Sequence, residues 1–348
     1  MQFGLAYDFL SASSSMDAVM RDALKNAKMA ENLGFHSIWA GESHSLTLID
    51  GHLPSPLLAL ASVATVTTRI RLGTGVLLLP LYNPLKLAED IAILDGISGG
   101  RLIVGVGLGG PKNRVFYGIP EENVGKKMEE AILLLNELWS QPSVIFDGQF
   151  FRYSNVGVNP HPIQKPRPPL IIAGAVEAAA DRAARLGDGW IGASNYNMPQ
   201  LRQMVNNYRK AMRNLGKDQE SAPVIANRII YVDQDPSAAL EHARPYLSAF
   251  LSWYASRNAL SDSDGKKIGK YDDDMFDRLV ESLVIVGGPD ECIGIIEKYQ
   301  KEIGVTQLNL RVRFGGMNAN MVPGQLKLLG KRILPYFADQ DRGQTDYI

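Results

Sequence analysis

The stretch RIRLGTGVLLLPLYNPLKLAEDIAILDGISGGRLIVGVGLG, residues 69–109, decides the fold. It opens on an apolar run at 69–79, passes through a helical segment at 85–97 and closes on a second apolar run at 101–106. Two short apolar runs joined by a helix are the unit of a parallel sheet whose strands are covered on both faces.

The same alternation extends outward. Upstream lie a strand at 3–7, a helix at 17–33 and a strand at 36–40. Val19, Met20, Ala23, Ala27, Ala30 and Leu33 recur at helical spacing, and Gly34 closes that helix. A second helix follows at 54–66. Downstream, a long helix at 121–140 is followed by a break in rhythm. Residues 144–153 read as a hairpin turning at Asp147-Gly148, and 160–169 is proline-rich and extended. The alternation then resumes with strands at 170–173, 190–193, 224–232 and 306–312. Their helices are expected at 177–186, 199–215, 236–254 and 323–337. Eight strand–helix units predict a (β/α)8 TIM barrel, with a doubly wound sheet as the alternative.

Length alone, 348 residues at about 150 per domain, suggests two domains, but one barrel accommodates it. The expected organisation is a single domain over 1–348 with two excursions. One is the hairpin and proline segment, 141–169. The other, 255–278, contains SDSDGKKIGKYDDD and is read as a mobile lid. The helix at 54–66 is apolar on nearly every face, more than one barrel can cover, and predicts a homodimer.

Composition narrows the function. Thirty-six basic against 37 acidic residues leave no excess to neutralise phosphates, arguing against nucleic acid. The single cysteine, Cys292, excludes a disulfide framework, and the five histidines show no paired-ligand spacing, so no metal is expected. Cys292 itself reads as a buried thiol. No apolar run approaches the roughly 18 residues of a membrane span and no basic leader precedes one, so a cytoplasmic protein is expected.

Barrel chemistry sits where strands end. Those positions hold Tyr7-Asp8-Phe9, Glu42-Ser43-His44, Thr74-Gly75-Val76, Gly107-Leu108-Gly109, Ala173 to Glu177 and Ser194. Glu42 and His44 form the best acid–base pair, since a carboxylate beside an imidazole fixes its tautomer. The glycines from 105 to 110 do not make a dinucleotide fingerprint, because Pro111 and a loop with Lys112, Asn113 and Arg114 follow. They suit a backbone passing close to a flat ligand. Gly174-Ala175-Val176 ends a strand and opens a helix, where free N–H groups suit a phosphate.

These residues resemble the bacterial luciferase-like family of flavin-dependent oxidoreductases. The likeness rests on GFHSIWAGESH (34–44), the 69–109 stretch, AARLGDGW (183–190) and GGPDECIGII (287–296), and spans nearly the whole chain. It implies a barrel holding FMN, or in sister branches a deazaflavin, at the strand ends, with a non-proline cis peptide at Gly75-Val76. Thr74, Gly75, Val76, Gly107, Leu108, Gly109 and Ser194 would lie by the cofactor, and Ala173, Gly174, Ala175, Val176 and Glu177 by its phosphate end. His44 would be the acid–base group, Glu42 its orienting partner and Ser43 a hydrogen bond to the flavin edge, with Asp8 as a further catalytic candidate and Tyr7 a further contact.

The chain departs from the family at three points. Ser43 replaces the histidine luciferase uses, Leu108 replaces an arginine, and the phosphate loop carries Glu177 in place of hydroxyls; Lys112 or Arg114 would supply the missing charge. The leading expectation is a two-component monooxygenase, taking reduced FMN from a separate flavin reductase and oxidising a small organic substrate with O2. The alternatives are deazaflavin-dependent hydride transfer and a non-catalytic partner subunit.

Overall fold

A computed structural model describes residues 1–7, 15–44, 54–219, 222–262 and 266–338. Eight parallel strands close on themselves. In chain order they are β1 (Gln2–Tyr7), β2 (Ser37–Ala40), β3 (Arg71–Thr74), β4 (Leu102–Gly107), β5 (Leu170–Ala173), β6 (Gly189–Gly192), β7 (Val224–Val232) and β8 (Gln307–Arg311). Each pairs with the next, and β8 returns to β1 with Gln2 opposite Gln307. The (β/α)8 barrel is therefore observed.

The deciding stretch folds as its chemistry dictates. The helix Pro84–Ser98 starts with proline at its first position, and the Asn83 side chain accepts from the Lys86 N–H. It stops at Gly99 in the left-handed conformation. At the top of β3 the chain bulges: Gly75-Val76 is cis, and pairing resumes only at Leu77 and Leu78 against Val106 and Gly107. Thr74 repairs the interrupted ladder, its Oγ1 accepting from the Gly105 N–H and donating to the Gly105 carbonyl, each at 2.8 Å. Gly105 has no alternative, because a Cβ there would overlap the Thr74 carbonyl oxygen. Here strand packing, rather than a ligand, demands the glycine.

Inside the barrel, Trp39, Ile103, Ile171, Ile191 and Ile225 form a separate apolar layer, with Val76 and Ala173 above it. Below it, Gln307 donates to Ser37 and Asn309, and Trp39 donates to Ser37. At the base, the Arg101 guanidinium reaches Ala64, Thr67, Ile70 and Ser98.

Several expectations change. The helix expected at 121–140 is observed at Val124–Ser140, and what reads as a loop after Pro111 holds a further short helix, Pro111–Phe116. The hairpin pairs Val144–Asp147 with Arg152–Val156, so a four-residue loop replaces a tight Asp-Gly turn. Glu130 holds that loop, accepting from the N–H groups of Gln149, Phe150 and Phe151. The proline segment is anchored too: buried Asp95 accepts from the backbone and side chain of Gln164. The excursion after β7 holds a two-residue antiparallel pair, Leu260–Ser261 with Lys267–Ile268, and leads to a helix, Phe276–Leu283. Residues 263–265 of the expected lid lie outside the described residues. A strand not anticipated, Val284–Gly287, pairs with the outer end of β7. No described helix is long and apolar enough to cross a membrane.

Candidate active site

The strand tops bring Glu42, Ser43 and His44 to one rim of the barrel. Glu42 is almost fully buried, and one of its oxygens lies 2.7 Å from His44 Nε2. Its other oxygen accepts from the Leu78 N–H at 2.8 Å, tying it to the bulge after β3. Burial raises the Glu42 carboxyl above its ordinary value, against the lowering effect of Leu78, His44 and Tyr82. Burial, reinforced by Glu42, pushes the Tyr82 hydroxyl up in turn.

His44 is held from three sides. Its backbone N–H donates to Asn113 Oδ1 at 3.1 Å, and Tyr117 Oη lies 2.9 Å from Nδ1. The Tyr117 ring meets the imidazole edge-on, and Tyr117 is 50% exposed. A hydrogen-bonded chain thus runs from solvent at Tyr117 through His44 to the buried Glu42. The short helix Pro111–Phe116 supplies Asn113 and ends at Tyr117. Neither partner was foreseen, because both lie about 70 residues from His44 on a helix that reads as a loop.

Beside this rim, over the barrel axis, opens a cleft. Tyr7, Gly75 and Ser194, all predicted cofactor contacts, line it together with Trp39, Asn227, Tyr254 and Arg311, which were not predicted. The Tyr7 hydroxyl accepts from Asn26 at 2.9 Å. Thr74 is fully buried and both donates to and accepts from Gly105, so it offers no hydroxyl to a ligand. Gly107 passes close to Val76, whose Cγ2 would lie 2.9 Å from an added Cβ.

A second cleft is lined by Ala175, Asn195, Gln200, Gln203 and Lys267, with Asn195 next in the chain to Ser194 of the first. Ala175 belongs to the predicted phosphate loop. The Trp190 indole N–H holds that loop by donating to the Gly174 carbonyl at 3.1 Å. Val176 and Glu177 are exposed at the start of the helix Glu177–Leu186.

Arg114 cannot supply the cation expected near Leu108. It is buried, donating to the carbonyls of Leu108 and Gly109 and paired with Glu121. Its charge therefore fastens the Gly107–Leu108–Gly109 turn to the next helix. Asp8 lies outside the described residues. Among the described residues no cluster of metal-ligating side chains occurs. Cys292 is buried, and burial pushes its thiol up to about 12.

The closed barrel is matched by known proteins. The model of one family, described as luciferase-like monooxygenase, matches residues 1–307. The chain belongs to the luciferase-like monooxygenase family. Its members are flavin- or F420-dependent oxidoreductases, and an enzyme of that kind is the coarse assignment. The solved structure of monooxygenase RslO1 from Streptomyces bottropensis is similar with a TM-score of 0.83 and 28% identity, covering 97% of this chain and 100% of that one. An F420-dependent glucose-6-phosphate dehydrogenase of Kineococcus radiotolerans is 29% identical, covering 81% of this chain and 84% of its own. The oxygenase component of a flavin-dependent trigonelline monooxygenase from Acinetobacter baylyi is 25% identical, over 69% and 68%.

Proposed function

We propose that the protein is the oxygenase component of a two-component, FMN-dependent monooxygenase acting on a small organic substrate. The observation carrying this reading is the likeness to RslO1 along the whole chain, with both clefts inside the matched length. The second cleft, with its polar lining, suits the tail of a flavin, and the central cleft, beside the seat for the ring, is left for the substrate. Val76 and Ala173 offer an apolar seat for the ring. Lys267, Gln200 and the backbone at Ala175 to Glu177 would hold the tail and its phosphate.

Reduced flavin, when bound, supplies the electrons with which O2 is activated. The chain's own work is to exclude water, place the substrate and manage protons. Trp39 and Tyr254 keep the cleft apolar. His44, fixed by Glu42 and Tyr117, exchanges a proton at Nδ1 or Nε2, and Tyr117 connects it to solvent. Ser43 stands between the two members of the pair at the rim. The proposal includes a homodimer, because Leu58, Ile93 and Ile97 are exposed on the helices Pro56–Ala64 and Pro84–Ser98.

The test is anaerobic titration with reduced FMN and, separately, reduced deazaflavin, followed by an oxygen pulse. Saturable binding of reduced FMN, with reoxidation kinetics changed from those of free flavin, is expected. Binding of reduced deazaflavin alone, indifferent to oxygen, would transfer the protein to the hydride-transfer branch. Binding of neither would leave a supporting subunit. Sedimentation of the same preparation as a monomer would remove the dimer.

A further inference from the structure

We propose that the central cleft takes an organic anion, and that Arg311 with Asn227 selects it. This rests on the reading of that cleft as the substrate site.

β8 alternates strictly. Leu308 and Leu310 pack outward into the main core, whereas Gln307 and Asn309 face the barrel interior, bonded to each other. Arg311 continues the interior face one step higher and lines the cleft, only 7% exposed. Asn227 on the neighbouring β7 lines it beside Arg311, in register with Asn309. Among the described residues lining the cleft, Arg311 is the single charged side chain, and none is a carboxylate. A guanidinium carries five N–H donors in a planar fork, so it serves an acceptor in the cleft beside the interactions it already makes.

A second cation stands behind the same wall. Arg228 is fully buried, and among the described residues no carboxylate lies within ion-pair reach. Its Nη1 donates to the carbonyls of Ala193 and Asn227, both cleft residues, and its Nε to the Tyr299 hydroxyl. Its Nη2 has no hydrogen-bond partner. Burying an uncompensated charge is costly, and here it leaves the β7–β8 wall electropositive. Trp39 and Tyr254 line the same cleft. A planar, ring-bearing molecule with a carboxylate or acidic hydroxyl matches this set: the ring packs against Trp39 and Tyr254 while the oxygens meet Arg311 and the Asn227 amide.

The experiment uses flavin-free protein and matched probes, benzoate against benzamide and naphthoate against naphthamide, with binding followed by saturation-transfer NMR. In at least one pair the carboxylate is expected to bind about tenfold or more tightly than the amide. Arg311→Gln should erase that preference and Arg311→Lys keep part of it, with unchanged melting temperatures certifying the fold. Asn227→Asp, which leaves Arg311 in place and adds a negative charge, should weaken the carboxylate and spare the amide. Equal binding within both pairs, no binding of any probe, or a preference that survives Arg311→Gln would overturn the proposal. Reduced-FMN binding is measured separately on the same samples. An Arg311-dependent anion preference without flavin binding would retain the anion site and sink the monooxygenase reading, and flavin binding without the preference would do the reverse.

Discussion

The two sides of the barrel mouth are built on opposite principles. On the β2–β4 side, the acid–base pair and its neighbours are closed into a circuit. Glu42 is shared between His44 and the Leu78 N–H, His44 between Glu42 and Tyr117, and Thr74 is locked to Gly105. On the β7–β8 side, charge is left over: Arg228 has no carboxylate partner among the described residues and an idle Nη2. A closed circuit of titratable groups is suited to moving protons, since each transfer has a prepared acceptor. Surplus charge held behind a rigid strand is suited to recognition, because it favours an anion in the cleft on the strand's other side. The division of labour is thus written in how completely each side satisfies itself.

Three experiments would break or sharpen that contrast. The largest effect belongs to the closed circuit: His44→Ala should lower turnover about 10²–10⁴-fold while leaving the affinity for the carboxylate probes unchanged. Steady-state kinetics beside probe titrations check this, and a parallel loss of probe binding would mean the two sides are not separable. Gly105→Ala comes next. Its methyl group must displace the Thr74 carbonyl, which is backbone and cannot yield cheaply, so a loss of about 1–3 kcal/mol is expected. That should appear as a melting temperature lower by several degrees, and an unshifted melt would show that the bulge gives way.

The smallest effect is a slope. The Glu42 carboxyl is raised, chiefly by burial, so the folded protein keeps that proton at a pH where the unfolded chain has released it. Folding is therefore penalised as pH rises above the ordinary glutamate value, until the folded carboxyl itself ionises. Glu42→Gln removes this term. As pH rises above the ordinary glutamate value the wild type should lose stability relative to the variant, seen in paired denaturant melts. A difference independent of pH would mean that His44, Leu78 and Tyr82 compensate the burial in full.

The barrel was legible because its signals are local. Apolar runs of strand length, separated by amphipathic segments and stopped by Gly34 and Gly99, specify parallel units without reference to distant residues. Glu42 and His44 were legible for the same reason, being two positions apart at a strand end. Tyr117 and Asn113 were not, since only the closed barrel brings them to His44. Arg311 was hidden differently. Within 306–312 it reads as the polar end of an ordinary strand, and only the inward alternation after Gln307 and Asn309 gives it a role. Trp39 belongs to the apolar layer and also lines the cleft. Val284–Gly287 was missed because a four-residue strand beside a Gly-Gly-Pro turn carries little periodicity.

Residues 141–169 have the composition of slack chain, rich in proline and with a glycine at the turn, yet two carboxylates stitch them down: Glu130 across the hairpin loop, Asp95 across the proline segment. Both acids sit on barrel helices, so the insertion moves with the scaffold as a rigid brace. An engineer seeking a place to open the chain, for permutation or for a grafted domain, would be misled by its composition. The cut would sever a strut that spans two helices.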